Sequence, residues 1–499
     1  MTEPSFFKPH FKKKWLKRSL YIFPIVLLLG LVLLIRALNF YTRQLNVDPV
    51  ALIDTSEDAD SNLIKAIQCK TISYTDKIDT LEFEKLREVL LQAYPLIHEN
   101  LELEIINNFG LLYTWKGSDK TLKPFLLMSH QDVVPVSPNT EHLWTHPSFS
   151  GFKSKQFIYG RGTLDVKSGI IAQMEAIEAM LKKGFRPKRT LYLAYGHDEE
   201  VGGNNGAMRI AALLKKRNIK LDFVLDEGGS IVQGVVPGVQ KPVALIGVAE
   251  KGYASFKLSV LSKGGHSSMP PKQTAIGILS TAIQTLESNP FPTKLNGIGS
   301  LMFDYVGPEM NLGMRLVFAN RWLFSPLIEH KLDQSDATRA TMRTSIATTI
   351  FNSGDKDNVL PVKAEAIVNA RILPGESIKS TLAFIKNTIN DPRVKIALSG
   401  TKYYEPSVIS DPTSKQFKKI QRTIGQIFPE VIVAPYLMLG ASDSKHYGHL
   451  TQHVFRFIPL RLNNTDLNKI HGTDERIAIK NFHECIRFYT QLIMNEQSR

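Results

Sequence analysis

The chain has 499 residues, is 43% hydrophobic and 22% charged, and carries a formal net charge of +14. This length exceeds one ordinary domain, and the composition excludes a disordered chain. Two cysteines, Cys69 and Cys485, exclude a disulfide scaffold and a cysteine-based zinc knuckle. From Met1 to Arg43 there are eight basic residues and one acid, a net of +7. Half the charge therefore lies in the first tenth of the chain. The mild excess over the rest does not describe a nucleic-acid groove, and no nucleic-acid partner is expected.

Ser19 to Ile35 is free of charge, and KKKWLKR precedes it. A helix over 19–38 reaches the lower limit for spanning hydrocarbon about 30 Å thick. No A-x-A cleavage site follows, so the run reads as an uncleaved anchor. The positive-inside bias puts the basic tail 1–18 in the cytoplasm and everything beyond about residue 40 outside it. Residues 39–60 read as a stalk.

Alternating strand and helix signals follow. KPFLLMSHQD, RTLYLAYGHDEE and LDFVLDEGG are apolar strands ending in polar residues, and SGIIAQMEAIEAMLKKG has helical spacing with a glycine stop. This is α/β, with a site at the carboxyl edge of the sheet. The character changes near Lys251. A half-exposed strand (ASFKLSVLS), a helix near 274–286, strands near 344–351 and 364–372, a helix over 377–389 and a last strand (VKIALSG) give a β-α-β-β-α-β outline. The organisation expected is a catalytic domain in two stretches, 61–251 and 403–499, interrupted by a lid over 252–402. Residues 290–340 do not fit the lid outline and read as an inserted segment of loops and helices.

Five segments carry metal-type ligands: Ser129–Pro135 (SHQDVVP), Gly160–Lys167 (GRGTLDVK), His197–Gly203 (HDEEVGG), Leu225–Gly229 (LDEGG) and His471–Glu475 (HGTDE). His130 and Asp132 are two apart, which suits an imidazole whose second nitrogen is held by a carboxylate. Asp165 sits in a glycine-flanked loop before a helix. Glu199 and Glu200 diverge if the segment is extended, one toward metal and one toward substrate water. This cysteine-free set of hard and borderline ligands suits a pair of Zn²⁺ or similar ions. The triplet His446, His449 and His453 is interrupted by Gly448, lacks a local acid and reads as structural. No G-x-S-x-G occurs to support a serine hydrolase.

The ordered series S-H-x-D-V-V-P, G-R-G-x-x-D-x-K, D-E-E-x-G-G, D-E-G-G, G-G-H-S-S-x-P-P and a late H-G resembles the M20 family of metallopeptidases and aminoacylases. The HDEE form, the E-K-G before the second domain, the insertion and the N-terminal anchor resemble its carboxypeptidase S and PM20D1 branch. The resemblance implies a phosphorylase/hydrolase-like zinc-peptidase catalytic domain with an inserted ferredoxin-like α+β lid. It implies two divalent metal ions, with Asp165 bridging, His130 and Asp226 on one and Glu200 and His471 on the other. Glu227 could exchange roles with Asp226. Asp132 would orient His130, and Glu199 would be the general base and proton shuttle. His266, Asn358, Arg371 and Gly440 match substrate-binding positions, with Arg371 gripping a carboxylate.

The function expected is amide hydrolysis on a small peptide or an N-acyl amino acid. In the PM20D1 branch the implied substrates are N-fatty-acyl amino acids, and the reaction can run toward condensation. The non-enzymatic alternative is an anchored binding protein on an inactive scaffold, against which the complete ligand set weighs. The lid is a candidate homodimer face, which the 290–340 insertion could cover. Cys69 and Cys485 belong to one domain in this division of the chain and could pair outside the cytoplasm.

Overall fold

The computed structural model describes residues 11–75, 77–295 and 297–497, with side chains from Phe23 onward apart from that of Thr401. The expected cytoplasmic tail lies outside these over residues 1–10. Helix α1 (Phe11–Leu38) covers the expected anchor. No helix among the described residues is long and apolar enough to cross a membrane. The charge-free run begins at Ser19, ahead of the first described side chain. The stalk is not a free linker. The Gln44 carboxamide pairs with both backbone groups of Val433, at 2.8 and 3.0 Å, and strapping continues at Val50, whose N–H donates to the Gln426 carbonyl.

The large domain is built on a ten-stranded mixed sheet. Its first strands are β1 (Glu102–Ile106), β2 (Gly110–Trp115) and β3 (Phe125–His130). Helix α2 (Lys167–Lys182), β4 (Leu191–Gly196), β5 (Val224–Asp226) and β6 (Val243–Glu250) follow. In space β4, β3 and β5 are adjacent and parallel. β3 is buried at every position, as its unbroken apolar run requires of a strand covered on both faces.

The chain then leaves for the lid. Strand β7 (Gly252–Leu261) and helix α3 (Ala275–Ser288) come first. Four helices follow: α4 (Ile298–Val306), α5 (Leu312–Ala319), α6 (Arg321–Leu332) and α7 (Asp336–Met342). The lid is completed by β8 (Ser345–Ser353), β9 (Lys363–Ile372), α8 (Ile378–Ile389) and β10 (Lys395–Tyr404). The four strands form an antiparallel sheet in the order β8-β9-β7-β10, the ferredoxin-like arrangement the outline predicts. β7 and β9 alternate buried and half-buried residues, so one face packs on α3 and α8 around Phe256, Leu258 and Val368. The large domain resumes with β11 (Ile432–Met438), β12 (Val454–Arg456) and α9 (Ile479–Asn495).

One boundary differs from the expected 252–402 lid. Helices α4–α7 share no core with the lid. Ile298, Phe303, Val306, Phe318 and Ile328 belong to the large domain's core, with β6 and β11. The Phe303 and Phe318 rings stack at 4.6 Å, and the Tyr305 hydroxyl donates to the Pro412 carbonyl at 3.0 Å. Apolar residues at helical spacing need an apolar partner, and the large domain supplies it.

Candidate active site

Three adjacent parallel strands end side by side. His130 closes β3 opposite Gly196 of β4, and Asp226 closes β5. The HDEE and DE segments therefore emerge at one edge, where open α/β sheets carry their ligands. Asp165, just ahead of α2, and His471, from a loop where its backbone has φ +61°, complete the group.

His130 Nε2 lies 2.9 Å from Asp165 Oδ1. His471 Nε2 lies 2.9 Å from Asp165 Oδ2 and 3.2 Å from Glu200 Oε2. Asp165 thus turns one oxygen to each histidine, the disposition a bridging carboxylate needs. One ligand atom each from His130, Asp165 and Glu200 fall within 4.8 Å of one another. Burial would lower His130, but its bonds to Asp132 and Asp165 raise it well above the usual imidazole range. Hydrogen bonds to Asp165 and Glu200 push His471 up to about 10. Glu200 is raised by burial and by Asp165. Glu199 is raised well above its ordinary value by burial, and Asp443, Glu227 and Glu200 add repulsion. Glu200 Oε1 is buried without a hydrogen-bond partner. Crowded carboxylates facing two imidazoles, with an orphaned oxygen among them, fit divalent cations.

The Glu199–Glu200 pair is not extended as expected. It opens a tight 3₁₀ turn, Glu199–Val201, whose first two amides are caught by Asp132. Glu199 N–H donates to Asp132 Oδ1 and Glu200 N–H to Oδ2, both at 3.1 Å. The Ser73 hydroxyl donates to Oδ2 as well. The nearest acceptor for His130 Nδ1 is the backbone carbonyl of Asp132 at 2.9 Å, with its carboxylate at 3.5 Å. Asp132 therefore aims both the imidazole and the two glutamates.

A second positioning unit was not legible in the sequence. Glu475 is fully buried and paired with Arg161 at 2.7 Å. Its Oε1 also accepts the amides of Gly162, Leu164 and Asp165 at 3.0, 2.7 and 3.2 Å. Arg161 in turn donates to the His471 and Gly472 carbonyls. The loops that present Asp165 and His471 are thus clamped together by one buried ion pair. The charged residues of GRG and HGTDE were visible, but their pairing across 314 positions was not.

Asp226 is buried, and its oxygens accept the Glu227 and Ser444 amides at 2.9 and 2.8 Å. Glu227 is raised well above its ordinary value by burial, and the charges of Asp165 and Asp226 add to this.

A cavity of about 890 Å³ opens over Glu199, Glu200 and His471, and Arg371 and Gly440 line it. The Arg371 guanidinium lies 4.9 Å from the Tyr253 ring centre, and Tyr253 stacks on Tyr404 at 5.9 Å. Lys445 Nζ lies 5.5 Å from the Tyr404 ring centre and also lines the cavity. Lys445 follows the Gly440 loop by five residues, a proximity in sequence that could have flagged it. His266 and Asn358 do not line this cavity. They lie on an exposed lid ribbon, where His266 pairs with Val359 and the Ser267 amide donates to the Asn358 carbonyl at 3.2 Å. Of the histidine triplet, His446 contacts the Gly202 carbonyl and His453 stacks on Phe455, so no third metal group forms among the described residues. Cys69 and Cys485 are both buried free thiols rather than a disulfide.

A metal-type ligand cluster at the carboxyl edge of an α/β sheet, beneath a cavity that also holds Arg371 and Lys445, is the arrangement of a metal-dependent hydrolase. The model for peptidase family M20/M25/M40 matches residues 126–495. A probable carboxypeptidase S-like 2 of Dictyostelium discoideum is 43% identical over 486 residues, covering 94% of this chain and 93% of that protein. The N-fatty-acyl-amino acid synthase/hydrolase PM20D1 of Xenopus tropicalis is 36% identical over 487 residues, covering 94% of each. The crystal structure of the M20 metallo-carboxypeptidase Sso-CP2 from Sulfolobus solfataricus shares the fold at a TM-score of 0.63 and 19% identity, over 89% of this chain and all of that one. The chain belongs to the M20 family of metal-dependent peptidases and amidohydrolases, in its carboxypeptidase S and PM20D1 branch.

Proposed function

We propose that the protein is a membrane-anchored enzyme with two Zn²⁺ ions that cleaves the amide of N-fatty-acyl amino acids and, in reverse, forms it. The observation that carries this reading is a single cavity lined by Glu199, Glu200 and His471, the last two in contact with the His130–Asp165 pair beneath, and by Arg371 and Lys445. Asp165 would be shared by the two ions, with His130 and Asp226 holding one and Glu200 and His471 the other; Glu227, next to Asp226, could exchange places with it. When bound, the ions supply Lewis acidity at the scissile carbonyl and lower the pKa of water.

The chain's own groups do the rest. Glu199 accepts the proton of the attacking water as the C–O bond forms. It passes that proton to the leaving nitrogen as the C–N bond breaks, so one carboxyl acts as base and then as acid. Arg371, held by Tyr253, and Lys445, held by Tyr404, grip the free carboxylate of the amino acid. Val408, Pro406, Met208 and Val454 offer apolar wall to an acyl chain. Helix α1 anchors the chain with its N-terminus in the cytoplasm and the catalytic body outside. The uninterrupted apolar run from Ser19 and the basic residues before it support this.

A panel of dipeptides and short- and long-chain N-acyl amino acids, tested on apo and zinc-restored protein, decides the substrate. Chelation abolishes turnover, zinc restores it, and long acyl chains are preferred. A preference for dipeptides would replace this reading by a carboxypeptidase. Arg371→Ala raises KM about 10–100-fold with a smaller change in kcat, because the carboxylate is held in ground and transition states alike. An unchanged KM for carboxylate substrates would remove Arg371 from this role.

A further inference from the structure

Helix α1 does not stand apart from the body. Its last turns dock on the insertion within the lid sequence, at helices α5 and α6. Asn320, fully buried between these two helices, donates to the Leu33 carbonyl at 3.0 Å. Arg315 donates to the carbonyls of Leu38 and Phe40 at 3.3 and 2.9 Å. Gly307 lets the Phe40 ring come so close that a Cβ there would meet it at 2.6 Å.

Around this junction the insertion turns apolar side chains outward. Leu312 is 56% exposed, Trp322 58% and Leu327 51%, and Leu323 is exposed beside them. Through the Asn320 and Arg315 bonds the same insertion holds α1, whose side chains from Phe23 through Leu38 include many exposed apolar ones. Apolar surface of this kind, gathered beside an apolar helix, marks an interaction site rather than ordinary surface. Arg36 and Lys331 are exposed nearby and suit anionic head groups. A tryptophan at the edge of such a patch is the usual interfacial anchor. A groove of about 630 Å³ runs beside Trp322, with Leu295, Ile298, Leu301 and Ile409 as its apolar lining and the Asp304–Arg321 ion pair among its polar lining. Its wall residue Ile409 is followed by Ser410 and preceded by Val408, both of which line the catalytic cavity.

We infer that helices α5 and α6 rest on the lipid bilayer beside α1, with Leu312, Trp322, Leu323 and Leu327 in the head-group region. The groove at Trp322 then opens toward the lipid, one short segment away from the catalytic cavity. This rests on the anchor reading above, and the experiment separates the two.

The full chain carrying Trp15→Phe is reconstituted in phosphatidylcholine–phosphatidylserine vesicles whose acyl chains are brominated. Trp115 and Trp144 are buried, so Trp322 is the exposed emitter among the described tryptophans. Bromolipid quenches a component of the emission that Trp322→Phe removes, and aqueous iodide does not reach it. If the chain floats with the vesicles but Trp322 is quenched by iodide and not by bromolipid, the inference is wrong and the anchor stands. Protection from both quenchers means that a second copy of the chain covers the patch, which also overturns it. A chain that does not float with vesicles removes the anchor reading and the inference with it.

Discussion

Glu199→Gln loses turnover by about 10²–10⁴-fold or more while its metal content matches the wild type. The two results separate because the two adjacent glutamates do different work. Glu200 joins His471 and lies within the ligand group, whereas Glu199 lines the cavity and is absent from that group. The turn that carries both is held through its amides by Asp132, so the glutamine variant keeps the same backbone. In the proposed mechanism, what it loses is the ability to take a proton from water and return it to the leaving nitrogen. Steady-state kinetics on an N-acyl amino acid, with metal analysis of the same preparation, checks this. Retained turnover, or loss of metal along with activity, would reassign the base.

The second large effect falls on a residue that never meets substrate. Glu475→Gln destabilises the protein by about 3–5 kcal/mol, because it leaves Arg161 buried without its counter-charge. Denaturant midpoints measure this. The partly exposed Glu104–Arg217 pair is the control, since Glu104→Gln costs about 1 kcal/mol or less. The same variant weakens metal binding, because the Asp165 amide and the His471 carbonyl are both tied to this ion pair. Metal titration under native conditions reads that loss separately. A Glu475→Gln protein with unchanged midpoint and metal affinity would mean that the two loops hold their places without the clamp.

The metal-type ligands were readable because each sits at a strand end or in a glycine loop, where a short motif fixes its surroundings. His130, Glu199 and Glu200 converge because β3 and β4 are parallel neighbours, and alternating strand and helix signals predict that. The lid was readable for the same reason, since its strands alternate with period two. What failed to show were contacts set by distant chain. Arg161 and Glu475 look like ordinary charges in their own segments. Lys445 lines the cavity beside Tyr404, which arrives from the lid. Asp226 and Glu227 are adjacent, and sequence cannot say that the Ser444 amide arrives from distant chain to hold Asp226. The insertion misled by position: its apolar residues announce a buried face but not which domain buries it.

That insertion changes how the two bodies can move. Because α4–α7 pack on the large domain, the chain passes between the bodies at the β6–β7, α3–α4, α7–β8 and post-β10 junctions rather than only at the first and last. Lys251, at the first junction, donates to the Ala340 and Arg343 carbonyls at 2.8 Å each, which lashes it to the third. A flap hung on two threads can swing widely, but one stitched at several points can only rock about the seam. The four crossings and the Lys251 lashing thus restrict how far the lid that carries Arg371 and Tyr404 can turn against the large domain.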